Sequence, residues 1–167
     1  MVNNMADLQK FISENELVEH ELIQGTPEWE AFRLEHDGAS EATVALGLSK
    51  KTMRNEMLHA KHTGIAKEFS KFVEEKIFPN GHKVEALARP IIMQKYGIRL
   101  FPITCSRGRL SASCDGVTMD GETGWEHKQW NADLAAAVAA SELPEDYMAQ
   151  PQQCMLVTGA KRWIFTV

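Results

Sequence analysis

The spacing of apolar residues changes near Gly97. Before it they recur three or four apart, as on a helix with one buried face. Leu8, Phe11, Ile12 and Leu17 form such a stripe between Asp7 and Val18. In QGTPEWEAFRLEHDGAS, Thr26 suits an N-cap and Pro27 a first helical residue; Trp29, Phe32 and Leu34 turn inward and Gly38 ends the helix. Ser40 is expected to cap SEATVALGL, and Thr52 to cap TMRNEMLHAKHTG, which Gly64 stops. Ser70 to Phe78 reads as a further helix closed by PNG. GHKVEALARPIIMQKYG reads as a long helix that buries Val84, Leu87, Ile91 and Ile92, ends at Gly97 and is kinked or broken at Pro90.

After Gly97 the segments are short and β-prone: IRLFPIT, RLSAS, GVTMD and GWEHKQW, punctuated by SRG and DGETG. They predict a meander of antiparallel strands. NADLAAAVAASEL and PEDYMAQPQQCMLVTG return to helix, the second started by Pro144, stopped by Gly159 and bent at Pro151; KRWIFTV is a last strand. Helices over 1–97 followed by strands and helices over 98–167 predict one α/β or α+β domain with a central mixed sheet between helices.

Composition narrows the function. A chain of 167 residues is long enough for one domain with a substantial core. Its apolar runs fall short of a membrane span, and MVNNMADLQK lacks a basic-then-apolar signal, so a soluble cytoplasmic protein is expected. Three cysteines without CxxC spacing argue for reduced thiols, against a disulfide framework or a zinc site. A net charge of -5 excludes a general nucleic-acid coat, but not an enzyme that gathers carboxylates around a cation and lines a local channel with Lys and Arg.

The candidate chemistry lies in SCDGVTMDGETGWEHKQW. Alternate side chains of a strand share a face, so Glu126 and Lys128 point one way and His127 the other. Asp115 is on the preceding strand, across a turn at Asp120-Gly121. If the register allows, Asp115 and Glu126 converge with Lys128 beside them. Two carboxylates suit Mg²⁺ or Mn²⁺, and a lysine beside them suits phosphodiester hydrolysis. Either pair alone is common and ordinarily solvated or structural.

Further segments sharpen the reading. Asp115-Gly116 followed by Glu126-His127-Lys128 resembles the catalytic motif of the PD-(D/E)xK nucleases. QGTPEW, GAS-E, GHKVEALAR, SASCDG, EHK and YMAQPQQCMLVTG, in that order from Gln24 to Val167, resemble the YqaJ-type phage recombination exonucleases, the lambda exonuclease family. The resemblance implies a restriction-endonuclease-like core. It assigns Glu85, Asp115, Glu126 and the His127 carbonyl to two Mg²⁺ or Mn²⁺ ions, Lys128 to catalysis and Gln150 to placing the attacking water. It assigns Arg33, Ser40 and Ser113 to the terminal 5′-phosphate, a role that suits an Arg fork and a Ser at a helix start. His82 reads as structural.

The implied activity is 5′→3′ digestion of double-stranded DNA ends, releasing 5′-mononucleotides and leaving 3′ overhangs. The resemblance also implies a ring-shaped homotrimer and a single-strand annealing protein as partner, in a bacterial host's cytoplasm. Cys114 stands where the family usually has Pro, and the family continues beyond the last strand, so a shortened C-terminus is expected. The alternatives are an endonuclease with the same core and a catalytically silent DNA-binding scaffold.

Overall fold

In the computed structural model, which describes residues 5–64 and 78–167, both halves of the chain contribute to one six-stranded sheet. Helix α1 (Met5–Glu14) gives way to strand β1 (Leu17–His20), which pairs antiparallel with β3 (Phe101–Arg107). Leu17 and Val18, expected on a helical stripe, are therefore strand residues. Arg107 explains the early end of α1: its Nη1 donates to the carbonyls of Ile12 (3.3 Å) and Asn15 (2.8 Å), tying the helix terminus to the end of β3. A ladder available on the edge of β3 outweighs the local periodicity.

Helix α2 (Pro27–Glu35) is capped as expected, Trp29 N donating to Thr26 Oγ1 at 3.3 Å. It stops before Gly38, which instead forms β2 (Asp37–Gly38), parallel to β4, and leads into a tight turn over Ala39–Glu41. Ser40 lies exposed inside that turn and is not its cap; the Glu41 carboxylate does this work, accepting from Gly38 N at 2.9 Å. Short α3 (Ala42–Ala45) follows. In α4 (Arg54–Thr63) the cap position is Met53, not Thr52, and Gly64 supplies the left-handed stop at φ 70°.

The helix expected from Ser70 lies outside the described residues, apart from Phe78, which begins α5 (Phe78–Tyr96). Helix α5 continues unbroken through Pro90. Pro90 and Ala86, whose carbonyl it cannot bond, are both exposed, where an unpaired acceptor costs little. Leu87 and Ile91 are also exposed, at 61% and 65%, contrary to expectation. The face that docks is one step round: Ala88, Ile92 and Met93 pack with Leu100, Ile164 and the fully buried Trp125.

RLSAS and the start of GVTMD form one strand, β4 (Leu110–Val117), antiparallel to β3 and to β5 (Thr123–His127). Asp120 builds the β4–β5 turn, its Oδ1 accepting from Thr118 Oγ1 (2.6 Å) and Glu122 N (3.0 Å), with Gly121 at φ 72°. Helices α6 (Ala132–Ala139) and α7 (Glu145–Thr158) then carry the chain to β6 (Arg162–Thr166), which is parallel to β5. The strand order β1-β3-β4-β5-β6, with β2 beside β4, is a mixed sheet flanked by helices, as the sequence predicts. Helix α7 runs through a buried Pro151. It lays Cys154 and Val157 on Cys105, Ala112, Cys114 and Val117, so the three thiols are reduced and share one core. No described helix is long and apolar enough to cross a membrane.

Gly124 faces Trp163, and a Cβ at Gly124 would overlap the indole ring. Gly124→Ala is expected to destabilise the β5–β6 pair by about 1–3 kcal/mol, the usual cost of overpacking, read as a lowered midpoint in urea unfolding.

Candidate active site

The site forms where β4 and β5 part. Their ladder ends at Gly116↔Trp125, and beyond it the Asp115 carboxylate replaces a main-chain acceptor: Oδ2 takes the His127 N–H at 2.7 Å. Against β3, β4 carries one extra residue here, since three steps from Cys114 to Val117 face two from Ile103 to Phe101. This bulge re-aims the backbone at Asp115 and interrupts strict alternation there.

The expected pairing of Glu126 and Lys128 is present, and α7 completes it. Lys128 Nζ donates to Glu126 Oε1 (2.6 Å) and Gln150 Oε1 (2.8 Å), while Gln150 Nε2 donates to Glu126 Oε1 (2.8 Å). Glu126 is only 3% exposed, and its Oε2 is buried without a hydrogen-bond partner. His127 lies on the opposite side as expected, its Nδ1 2.9 Å from Thr166 Oγ1, which also accepts from Trp125 Nε1 at 2.9 Å. Thr166 O accepts the backbone N–H of Lys128 at 2.9 Å.

Glu85 reaches the site from α5. It is paired with Arg89 one turn along, and Arg89 Nε donates to the carbonyl of Asp115 at 3.1 Å. Burial, then the charge of Glu126, push Asp115 from its ordinary 3.8 up to about 8, against the bond from His127; Glu85 adds to the rise. Burial likewise raises Glu126, opposed by Lys128 and Gln150. Among the described residues no three His, Cys, Asp or Glu side chains close on one point as a preformed metal cage does. A hard cation such as Mg²⁺ needs only one or two carboxylates and takes the rest of its shell from water and phosphate. The open Oε2 of Glu126, beside carboxylates that repel one another, suits such an ion.

The second predicted cluster is assembled through residues the sequence reading did not assign to it. Ser113 Oγ accepts from Trp29 Nε1 (3.1 Å) and lies 3.2 Å from Thr104 Oγ1. Arg33 stacks over the Trp29 ring, 4.7 Å from its centroid, and its Nη2 is 3.5 Å from Glu41 Oε1. Glu41 in turn pairs with the half-buried Lys61 at 2.9 Å, and Lys61 also donates to the Arg33 carbonyl at 2.9 Å. Arg33 thus reaches the neighbour of Ser40, and Trp29 links that corner to Ser113. A cleft of about 840 Å³ is lined by His82, Glu85 and Asp115 on the metal-site side and by Thr104, which neighbours Ser113, and Gln24. His82 is exposed in this cleft. Trp29, predicted only as a core residue, carries its signal in QGTPEW; Thr104 carries none that a single sequence shows.

Residues 28–161 match the model of the YqaJ-like viral recombinase domain. The chain belongs to that family. Two solved structures are similar to this YqaJ-like chain: an alkaline exonuclease, LHK-Exo, from Laribacter hongkongensis (TM-score 0.63) and LHK-Exo in complex with dAMP (TM-score 0.64). Each is 22% identical, over 84% of this chain and 73% of the other, so the likeness establishes a shared restriction-endonuclease-like fold. A search of curated proteins finds no match to the YqaJ-like chain.

Because the folded-state pKa of Asp115 is raised from 3.8 to about 8, the folded protein keeps a proton that the unfolded chain has lost between those values. Stability from this group is full at low pH and is lost as pH rises through about 8, and Glu126 shifts the same way. In chelator the melting temperature should therefore fall across this range. Mg²⁺ should raise it more at about pH 8.5 than at about pH 6, where protons compete for the carboxylates. Asp115→Asn should flatten both trends in thermal melts.

Proposed function

We propose that this chain is a divalent-metal-dependent exonuclease of phage-type recombination, digesting double-stranded DNA 5′→3′, releasing 5′-mononucleotides and leaving 3′ overhangs. The observation that carries the reading is the buried Glu126 carboxylate, with one oxygen held by Lys128 and Gln150, the other buried without a partner, and Asp115 and Glu85 close enough for their charges to interact with it. Membership of the viral recombinase family supports a role in recombination. The similar enzyme is an exonuclease, and its complex with dAMP fits a mononucleotide product.

The carboxylates of Glu85, Asp115 and Glu126 and the carbonyl of His127 would hold Mg²⁺ or Mn²⁺. The bound ion would offset the clustered charge and stabilise charge building on the scissile phosphate. Lys128 is anchored by two of its three N–H bonds, on Glu126 and Gln150, which leaves the third for a water or a phosphate oxygen. Gln150 locks that geometry by bonding both partners, so the ammonium is preorganised before substrate enters. Arg33, Ser40 and Ser113 would receive the terminal 5′-phosphate. Arg33 stacked on Trp29 presents its fork in a fixed plane. We extend the reading to a homotrimer around DNA and a single-strand annealing partner in the host cytoplasm; light scattering at a trimer's mass is the expected result.

The test is digestion of end-labelled linear duplex with Mg²⁺, comparing 5′-phosphate, 5′-hydroxyl and closed circular forms. The phosphorylated linear form should be degraded fastest and the closed circle spared. Equal cutting of the circle would make the protein an endonuclease, and no digestion at all would leave a DNA-binding scaffold. Lys128→Ala should lower the rate by about 10²–10³-fold in a chain that circular dichroism shows still folded, while its melting temperature falls because Glu126 loses its cation. Arg33→Ala should instead equalise the rates on phosphate and hydroxyl ends while leaving the hydroxyl rate near that of the parent; a retained preference would move phosphate recognition elsewhere.

A further inference from the structure

The GHKVEALAR segment contains a cation to which the proposed reaction assigns no part. Arg89 extends from α5 to the sheet and is 23% exposed at the side chain. Its Nη2 bonds Glu85 Oε1, its Nε bonds the main-chain carbonyl of Asp115 at 3.1 Å, and its guanidinium lies 6.0 Å from the centroid of Trp125. Trp125 directly precedes Glu126, so one side chain bonds Glu85 and the Asp115 main chain and lies near the residue before Glu126. Two of these contacts need donors in fixed, different directions. A guanidinium supplies them from one plane, whereas an ammonium is a point charge on a flexible stem.

Charge leads to the same residue. Glu85, Asp115 and Glu126 are three carboxylates within electrostatic reach of one another, and Lys128 is already committed to Glu126 and Gln150. Arg89 is the cation paired with Glu85, and it also bonds the Asp115 main chain. The bulge at Asp115 adds a need for restraint, because a strand that has left its ladder has one fewer neighbour to fix it.

We propose that Arg89 is the positioning residue of the metal site: it sets the rotamer of Glu85 and pins the Asp115 backbone, so that both carboxylates are presented to one cation. It does not touch the reacting atoms. The assignment rests on the metal-dependent reading above. It also gives the EALAR arginine a physical task, since the i, i+4 spacing to Glu85 allows the clamp to form within one helix.

The experiment is calorimetric titration of the intact chain with Mn²⁺, alone and as Arg89→Lys, Arg89→Gln, Glu85→Gln and the Glu85→Gln/Arg89→Lys pair, each checked by thermal melting. Arg89→Lys should fold and bind Mn²⁺ about 10–100-fold more weakly, the usual effect of losing a group that orients a metal ligand. KM for linear duplex should stay unchanged, and kcat should recover at saturating Mn²⁺. In the Glu85→Gln background the same change should cost less than in the parent, because the part exerted through Glu85 is gone and only the hold on the Asp115 carbonyl remains. Binding within about twofold of the parent in a folded Arg89→Lys or Arg89→Gln variant would overturn the assignment. So would full additivity in the double variant, or loss of cooperative folding in both single variants, which would make Arg89 a structural residue. A parent chain that binds no Mn²⁺ would overturn the metal-dependent reading itself, and this inference with it.

Discussion

The structure depends most on the burial of a carboxylate. Glu126 is 3% exposed, in a position where an ionised group is costly unless it is compensated. Only half the compensation comes from protein: Lys128 and Gln150 serve Oε1 and leave Oε2 open. Glu85 adds charge of the same sign, and burial with the charge of Glu126 keeps Asp115 protonated far above the ordinary carboxylate range. Such a cluster is a poor device for stability. It is a good one for capturing a cation, because the repulsion relieved on binding adds to the affinity.

Three elements distant in sequence converge to hold that carboxylate. Helix α7 is fixed to the sheet by Cys154 and Val157, and this docking brings Gln150 over Lys128. Helix α5 is fixed through Ile92 against Trp125, and this brings Glu85 and Arg89 to the other side. The hairpin between them supplies Asp115, Glu126 and Lys128. Cores on both faces thus act as mounts: neither buried cluster contains a chemically active group of the site, and both determine where those groups point.

What could be read from sequence follows from the range of the forces involved. The Asp120-Gly121 turn and period-two alternation are local, so the Glu126–Lys128 pair and the outward turn of His127 were legible in GWEHKQW. Gln150 and Glu85 were legible only through the resemblance, because their contacts cross between elements. The bulge was hidden, since it is a property of the β3–β4 register and nothing in SASCDG marks it. Leu87 and Ile91 were misplaced because two apolar residues four apart define a stripe but not which stripe docks. Ser40 has the side chain of a cap but does not act as one, because Glu41, one residue on, takes the orphan N–H. Arg89 and Trp29 were visible as residues, but a guanidinium on a carbonyl or an indole on a serine becomes a fact only after packing.

The position of β6 carries a kinetic consequence. The Thr166 carbonyl accepts the Lys128 amide, its Oγ1 accepts the Trp125 indole and lies 2.9 Å from His127 Nδ1, and among the described residues it sits on an outer strand of the sheet order. Outer strands open more often than inner ones, through local fluctuations that cost far less than global unfolding. The main chain of the lysine is therefore latched to one of the more readily opened parts of the sheet. The hydrogen-exchange rate of the Lys128 amide becomes a clock for how long the site stays assembled between openings, and a ligand that bridges β5 and β6 would slow it.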